Sequence, residues 1–92
     1  MWSVVSQSFE IVNELGLHAR AAAKLVELVG GFSSEVWLEK EGQRVNAHSI
    51  MGVLLLCGQR GSTITVEAQG VDAAEVVDAI GQLIANRFGE ER

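Results

Sequence analysis

One histidine sits where a strand-like segment meets an alanine-rich helix, in Gly16-Leu17-His18-Ala19-Arg20, followed at once by Ala21-Ala22-Ala23-Lys24-Leu25-Val26. Imidazole is neutral and nucleophilic near neutral pH and is a good leaving group, so it can take up a phosphoryl group and release it again. The start of a helix offers unpaired backbone N–H groups and the positive end of a dipole, which favour an anion. Arg20 adds a permanent cation with forked donors suited to phosphate oxygens. Phosphoryl transfer asks a protein mainly for positioning and charge stabilisation. His18, Arg20 and the N–H groups of Ala19, Arg20 and Ala21 could supply both without a metal or cofactor.

Each residue also has a plainer reading. An isolated histidine at a helix start is ordinarily a capping or surface residue. Arg20 could be a solvated first-turn charge, although a cation there opposes the helix dipole. A visiting phosphate explains why it is kept.

The elements that must position these residues follow from hydrophobic periodicity. Val4 to Val12 alternates as a strand, with Phe9 and Ile11 on one face. Asn13 to Gly16 is a turn or loop. Ala19 to Val29 is a helix, because Ala22, Leu25, Val26 and Val29 recur at helical spacing. Gly30-Gly31 ends it with residues that tolerate positive φ. Glu35 to Lys40 alternates, Glu41-Gly42 resembles a tight hairpin turn, and Gln43 to Asn46 returns. Ser49 to Leu56 is a short helix capped by serine. Gly58 to Gly61 is a loop and Ser62 to Ala68 a strand. Asp72 to Phe88 is the last helix, with Asp72 as its cap and an apolar stripe of Val76, Ala79, Ile80, Leu83, Ile84 and Phe88. The order β-α-β-β-α-β-α implies an α+β fold, a small antiparallel sheet with helices on one face.

Composition narrows the function classes. Ninety-two residues, 48% of them hydrophobic, make a single domain over 1–92 with one modest core. The net charge of −5 and the lack of a basic run argue against nucleic acid and an anionic membrane. Met1 to Gln7 has no charged and apolar targeting pattern, and the longest apolar run, Val53 to Cys57, is far too short to span a bilayer. A cytoplasmic location is therefore expected. The single cysteine, Cys57, allows no internal disulfide and points to a reducing compartment. It is expected to be packed or at a helix end. Trp37 is expected to pack on the sheet, and Trp2 carries no assigned role. No proline is present, so no prolyl switch is expected.

A second constellation follows at Val45-Asn46-Ala47-His48-Ser49-Ile50-Met51-Gly52-Val53. With the first motif, at matched spacing, it resembles HPr, the histidine-containing phosphocarrier family of the bacterial phosphoenolpyruvate-dependent phosphotransferase system. The resemblance covers nearly the whole chain. It implies an open-faced sandwich, a four-stranded antiparallel sheet with three helices on one side. It implies that His18 accepts phosphate on Nδ1 from enzyme I and passes it to an EIIA-type acceptor, in sugar transport or a regulatory branch. On this reading the protein is a transiently phosphorylated carrier, expected as a monomer, and not a stand-alone catalyst. The resemblance also makes Ser49 the site of a regulatory serine kinase in bacteria that carry one. Two residues depart from the family pattern. Ala21 stands where the family usually has proline, which restores a backbone N–H in the first turn. His48 stands where lysine is frequent, which bears on how a serine kinase would engage the chain.

Ser49 is also an excellent helix cap, a role compatible with modification, since a phosphate at a helix start gains from the dipole. The helix Ile50 to Leu56 is apolar nearly all round. Val53 and Leu56 are expected to pack inward, leaving Ile50, Met51, Leu54 and Leu55 as a docking patch beside His18. The plainer reading is a deep core. Met51 suits a surface that accepts several partners. A different class of function is a regulatory protein-binding module acting through Ser49 and this helix with His18 idle. A metal protein or small-molecule enzyme finds no support, because no second His/Cys ligand at useful spacing, paired carboxylate or glycine-rich nucleotide loop is present.

Overall fold

The computed structural model describes residues 3–92, so Trp2 lies outside the described residues. Four strands form one antiparallel sheet: β1 (Ser3–Glu10), β2 (Glu35–Lys40), β3 (Gln43–Asn46) and β4 (Thr63–Gly70), in the spatial order β1-β4-β2-β3. Three helices, α1 (Ala19–Val29), α2 (Ile50–Leu55) and α3 (Ala73–Ala85), cover one face, and a 3-10 turn follows at Arg87–Gly89. The arrangement is an open-faced α+β sandwich. No helix among the described residues is long and apolar enough to cross a membrane.

Alternation in the strands decides which face is covered. Ile64, Val66 and Ala68 of β4 and Val36 and Leu38 of β2 are buried beneath the helices. Leu25 and Val29 of α1, Val53 of α2, and Val76, Ile80 and Ile84 of α3 meet them. Trp37 is half-buried on the open face, where the Arg44 guanidinium lies 4.8 Å from its ring centroid. The hairpin turn is Glu41-Gly42, at φ 51° and 83°, the left-handed pair that a two-residue hairpin loop requires.

Several expectations need correction. The first strand ends at Glu10, and Ile11 instead exchanges backbone bonds with the loop before β4, donating to the Ser62 carbonyl and accepting from Gly61 N–H. Gly30 closes α1 at φ −62°, so the helix ends without using positive φ; Gly31 and Phe32 N–H groups bond the Leu28 and Val29 carbonyls in tightening turns. Asp72 precedes α3 but makes no side-chain cap bond. Its carboxylate accepts instead from Ser33 N–H (2.8 Å), Ser34 N–H (2.9 Å) and Ser34 Oγ (2.5 Å), tying α3 to the start of β2.

The largest difference lies at the C-terminal end of α3. The helix stops at Ala85, and Arg87, Phe88 and Gly89 turn at φ 56°, 54° and 79°. Phe88 is fully buried, yet it reaches the core from this left-handed turn and not from the helix stripe. The residues after it run back across the molecule as a strap, with the Arg92 carbonyl accepting from Glu14 N–H at 3.1 Å.

Candidate functional site

His18 is the N-cap residue of α1, with extended backbone at φ −77° and ψ 178°. Its carbonyl accepts the first helical bond, from Ala22 N–H at 2.8 Å. The N–H groups of Ala19, Arg20 and Ala21 therefore have no partner within the helix. Ala19 and Arg20 are exposed, whereas Ala21 is wholly buried beneath them. Arg20 makes no hydrogen bond or ion pair with the described residues.

The loop that delivers His18 is pinned on both sides. Gly16 adopts φ 69°, and a Cβ there would lie 2.5 Å from the Gly58 carbonyl oxygen. Leu17 N–H donates to that carbonyl at 2.7 Å. The segment leaving α2 thus lies against the segment entering α1. Cys57 sits on it at φ 50°, just past the end of α2 and exposed, so of the two environments expected for it the helix end is the one found.

The His18 side chain is 29% exposed, at the edge of a shallow cavity of about 260 Å³ lined by Leu15, Leu17, Cys57, Gly58 and Gln59. Its Nε2 is bonded to Glu90 Oε2 of the C-terminal strap. Among the described residues Nδ1 has no hydrogen-bond partner. Glu90 Oε1 accepts from Asn13 Nδ2 at 2.9 Å, and the same nitrogen donates to the Gly16 carbonyl at 2.9 Å. Partial burial pushes the Glu90 carboxyl up, but hydrogen bonds from His18 and Asn13 and the nearby Lys24 charge outweigh it, and the net shift is downward.

Sequence reasoning missed Glu90 and Asn13. Glu90 lies 72 positions from His18, in a charged tail that ordinarily reads as solvated. Asn13 did carry a signal: an asparagine heading a turn commonly bonds nearby backbone.

Ser49 is the N-cap of α2, and its Oγ accepts from Gly52 N–H at 3.1 Å while remaining exposed. His48 is exposed beside it. Ile50, Met51 and Leu55 are exposed at 43%, 69% and 61%, so an apolar surface is open there; Leu54 is only half-exposed, and Val53 and Leu56 are buried. Leu15, exposed at 70%, lines the His18 cavity and adds an apolar residue that the helix pattern alone did not reveal. Among the described residues, no three His, Cys, Asp or Glu side chains converge as a metal site.

Residues 5–86 match the family model PTS-HPr, described as the PTS HPr component phosphorylation site. The phosphocarrier protein HPr of Cupriavidus necator is 55% identical over 80 residues, covering 87% of this chain and 90% of that protein. The phosphocarrier protein NPr of Escherichia coli is 42% identical over 88 residues, covering 95% and 98%. Among solved structures, HPr-C-His from Thermoanaerobacter tengcongensis superposes with a TM-score of 0.92 at 42% identity, covering 96% of this chain and 99% of that one. By sequence and by fold, the chain belongs to the HPr family of phosphotransferase-system phosphocarriers.

Proposed function

We propose that this chain accepts a phosphoryl group on His18 Nδ1 from phosphorylated enzyme I and hands it to an EIIA-type acceptor. The observation that carries this reading is the state of the imidazole. Nε2 is occupied by Glu90, Nδ1 has no hydrogen-bond partner among the described residues, and the ring stands at the open start of α1. A phosphoryl group on Nδ1 meets the helix N-terminus, and Arg20 has no competing partner among the described residues. Attack by the Nδ1 lone pair forms the N–P bond as the donor's bond to phosphorus breaks. Onward transfer returns the electron pair to Nδ1.

The apolar surface of Ile50, Met51 and Leu55, with Leu54 at its edge, supports docking of both partners, and Leu15 adds an exposed apolar residue at the His18 cavity. Ser49 borders this surface. A phosphate on Ser49 would add about −1.5 to −2 charge at the rim of an apolar contact and weaken docking while leaving the fold intact. A serine kinase acting there is part of this reading. So is action as a monomeric carrier that catalyses nothing on its own.

The test is a relay. Enzyme I, phosphoenolpyruvate and an EIIA protein are mixed with and without the chain. Phosphate should reach EIIA only when the chain is present, and His18→Ala should abolish transfer. Equal labelling of EIIA with His18→Ala would overturn the proposal.

A further inference from the structure

Gln59 belongs to the segment that leaves α2 and lies against the loop carrying His18. Its backbone is held from two directions. A Cβ on Gly16 would stand 2.9 Å from the Gln59 Cα, and the Gln59 carbonyl accepts from Ser62 N–H at 3.0 Å and from Ser62 Oγ. The residue is exposed, and among the described residues its side chain makes no hydrogen bond.

That side chain lines the His18 cavity with Leu15, Leu17, Cys57 and Gly58. The two leucines are apolar and a thiol is a weak donor, so the Gln59 amide is the strong neutral donor among the side chains that share the cavity with the ring. Glu90 lies in the neighbouring cavity, with Glu14, Glu91 and Arg92. No carboxylate lines the Gln59 side, so none repels an anion there.

A phosphoryl group on the ring carries three terminal oxygens, all strong acceptors. The exposed Ala19 and Arg20 at the start of α1 offer amides to those turned toward the helix. An oxygen turned the other way looks into the cavity of about 260 Å³. We infer that Gln59 is a phosphoryl-binding residue, its side-chain amide donating a hydrogen bond to a terminal oxygen of the phosphoryl group on His18. The inference rests on the carrier function proposed above and deepens it. The contact exists only in the phosphorylated state, so it favours that state over the free imidazole and raises the share of phosphoryl groups that the chain holds. The amide gives up no proton, and the N–P bond forms and breaks as already described.

Two substitutions isolate the donor. Gln59→Leu keeps most of the bulk and removes the N–H groups. Gln59→Glu keeps the shape and puts a negative charge beside the phosphoryl oxygens, which repels them.

The experiment equilibrates each chain with enzyme I over a series of phosphoenolpyruvate to pyruvate ratios. Intact mass at neutral pH gives the phosphorylated fraction, and backbone amide spectra check that each variant is folded. The equilibrium does not depend on how fast enzyme I docks, so an effect on docking alone leaves it unmoved. Gln59→Leu should need a ratio about fivefold or more above wild type to reach half phosphorylation, as expected for losing a hydrogen bond to a charged group, and Gln59→Glu a higher one still. In the wild type, NMR should show the Gln59 side-chain amide protons exchanging with water more slowly once His18 is phosphorylated, a measurement that needs no variant to fold. Equal midpoints for wild type and folded Gln59→Leu, or amide exchange unchanged by phosphorylation, overturns the inference. A slower transfer at an unchanged midpoint also overturns it, and assigns Gln59 to partner docking. A wild type that never gains phosphate is a different result: the carrier reading itself then fails and takes this inference with it.

Discussion

Lys24 Nζ donates to the Phe88 carbonyl at 2.5 Å, fastening the helix capped by His18 to the strap whose Glu90 meets that histidine. The Phe88 ring is fully buried, so the strap is part of the core and not an appended tail. Phe88→Ala should lower unfolding free energy by about 3–5 kcal/mol, the range for a buried phenylalanine replaced by a cavity. Urea denaturation checks this, and a loss below about 1 kcal/mol would show that the ring adds little to the core.

Gly81 of α3 packs against Phe9 of β1. A Cβ at Gly81 would stand 2.5 Å from Phe9 Cε1 and 2.7 Å from Cζ. Helix propensity alone favours Gly81→Ala by about 1 kcal/mol. The clash opposes it, and forcing an extra methyl into a packed contact costs about 1–3 kcal/mol. The variant should therefore be less stable than wild type by thermal unfolding. Replacing Phe9 with leucine in the same chain should recover part of the loss.

Two carboxylates couple stability to acid. Hydrogen bonds from Ser33 N–H and Ser34 Oγ hold Asp72 below its ordinary value of 3.8, against a smaller opposing effect of burial. Glu90 is shifted below its ordinary 4.5, as described above. A folded-state pKa below the unfolded one contributes stability that is fully present above the unfolded value and is lost as pH falls through the folded value. Stability should thus decline as pH drops below about 4.5, and the decline should be shallower in Asp72→Asn and in Glu90→Gln. Urea midpoints measured from pH 6 downward check the slope; parallel curves for wild type and both variants would contradict it.

Ser49 Oγ caps α2 through Gly52 N–H. Ser49→Ala should cost about 1 kcal/mol, the usual effect of losing such a cap. Ser49→Asp keeps a capping oxygen and should be close to wild type in stability. Its new charge beside Ile50 and Met51 should instead weaken enzyme I binding in titration calorimetry, which Ser49→Ala should barely change.

Local signals made most of the fold legible. The observed bounds of α1, β2 and β3 coincide with those read from the sequence, because Ala22-Leu25-Val29 spacing, the Val36-Leu38 alternation and the Glu41-Gly42 turn all act within a few residues. The end of α3 was misread for a physical reason. Phe88 stands four positions after Ile84, so it continues the helical stripe on paper, while the left-handed turn at Arg87 and Phe88 uses residues that do not advertise positive φ. Asp72 has the residue type of a cap, but two backbone amides and a hydroxyl from Ser33 and Ser34 compete for it. At the site, His18, Arg20 and Ser49 were visible from local chemistry. The Glu90 contact was not, since it exists only because a tertiary anchor, Phe88, returns the chain to α1.

The most direct test of the account is the intact mass of the folded protein at neutral pH after incubation with active enzyme I and phosphoenolpyruvate. The expected result is a gain of one phosphoryl group that is lost in acid and absent from His18→Ala. A wild-type chain that gains nothing, or a His18→Ala chain that gains the same acid-labile group, would contradict it.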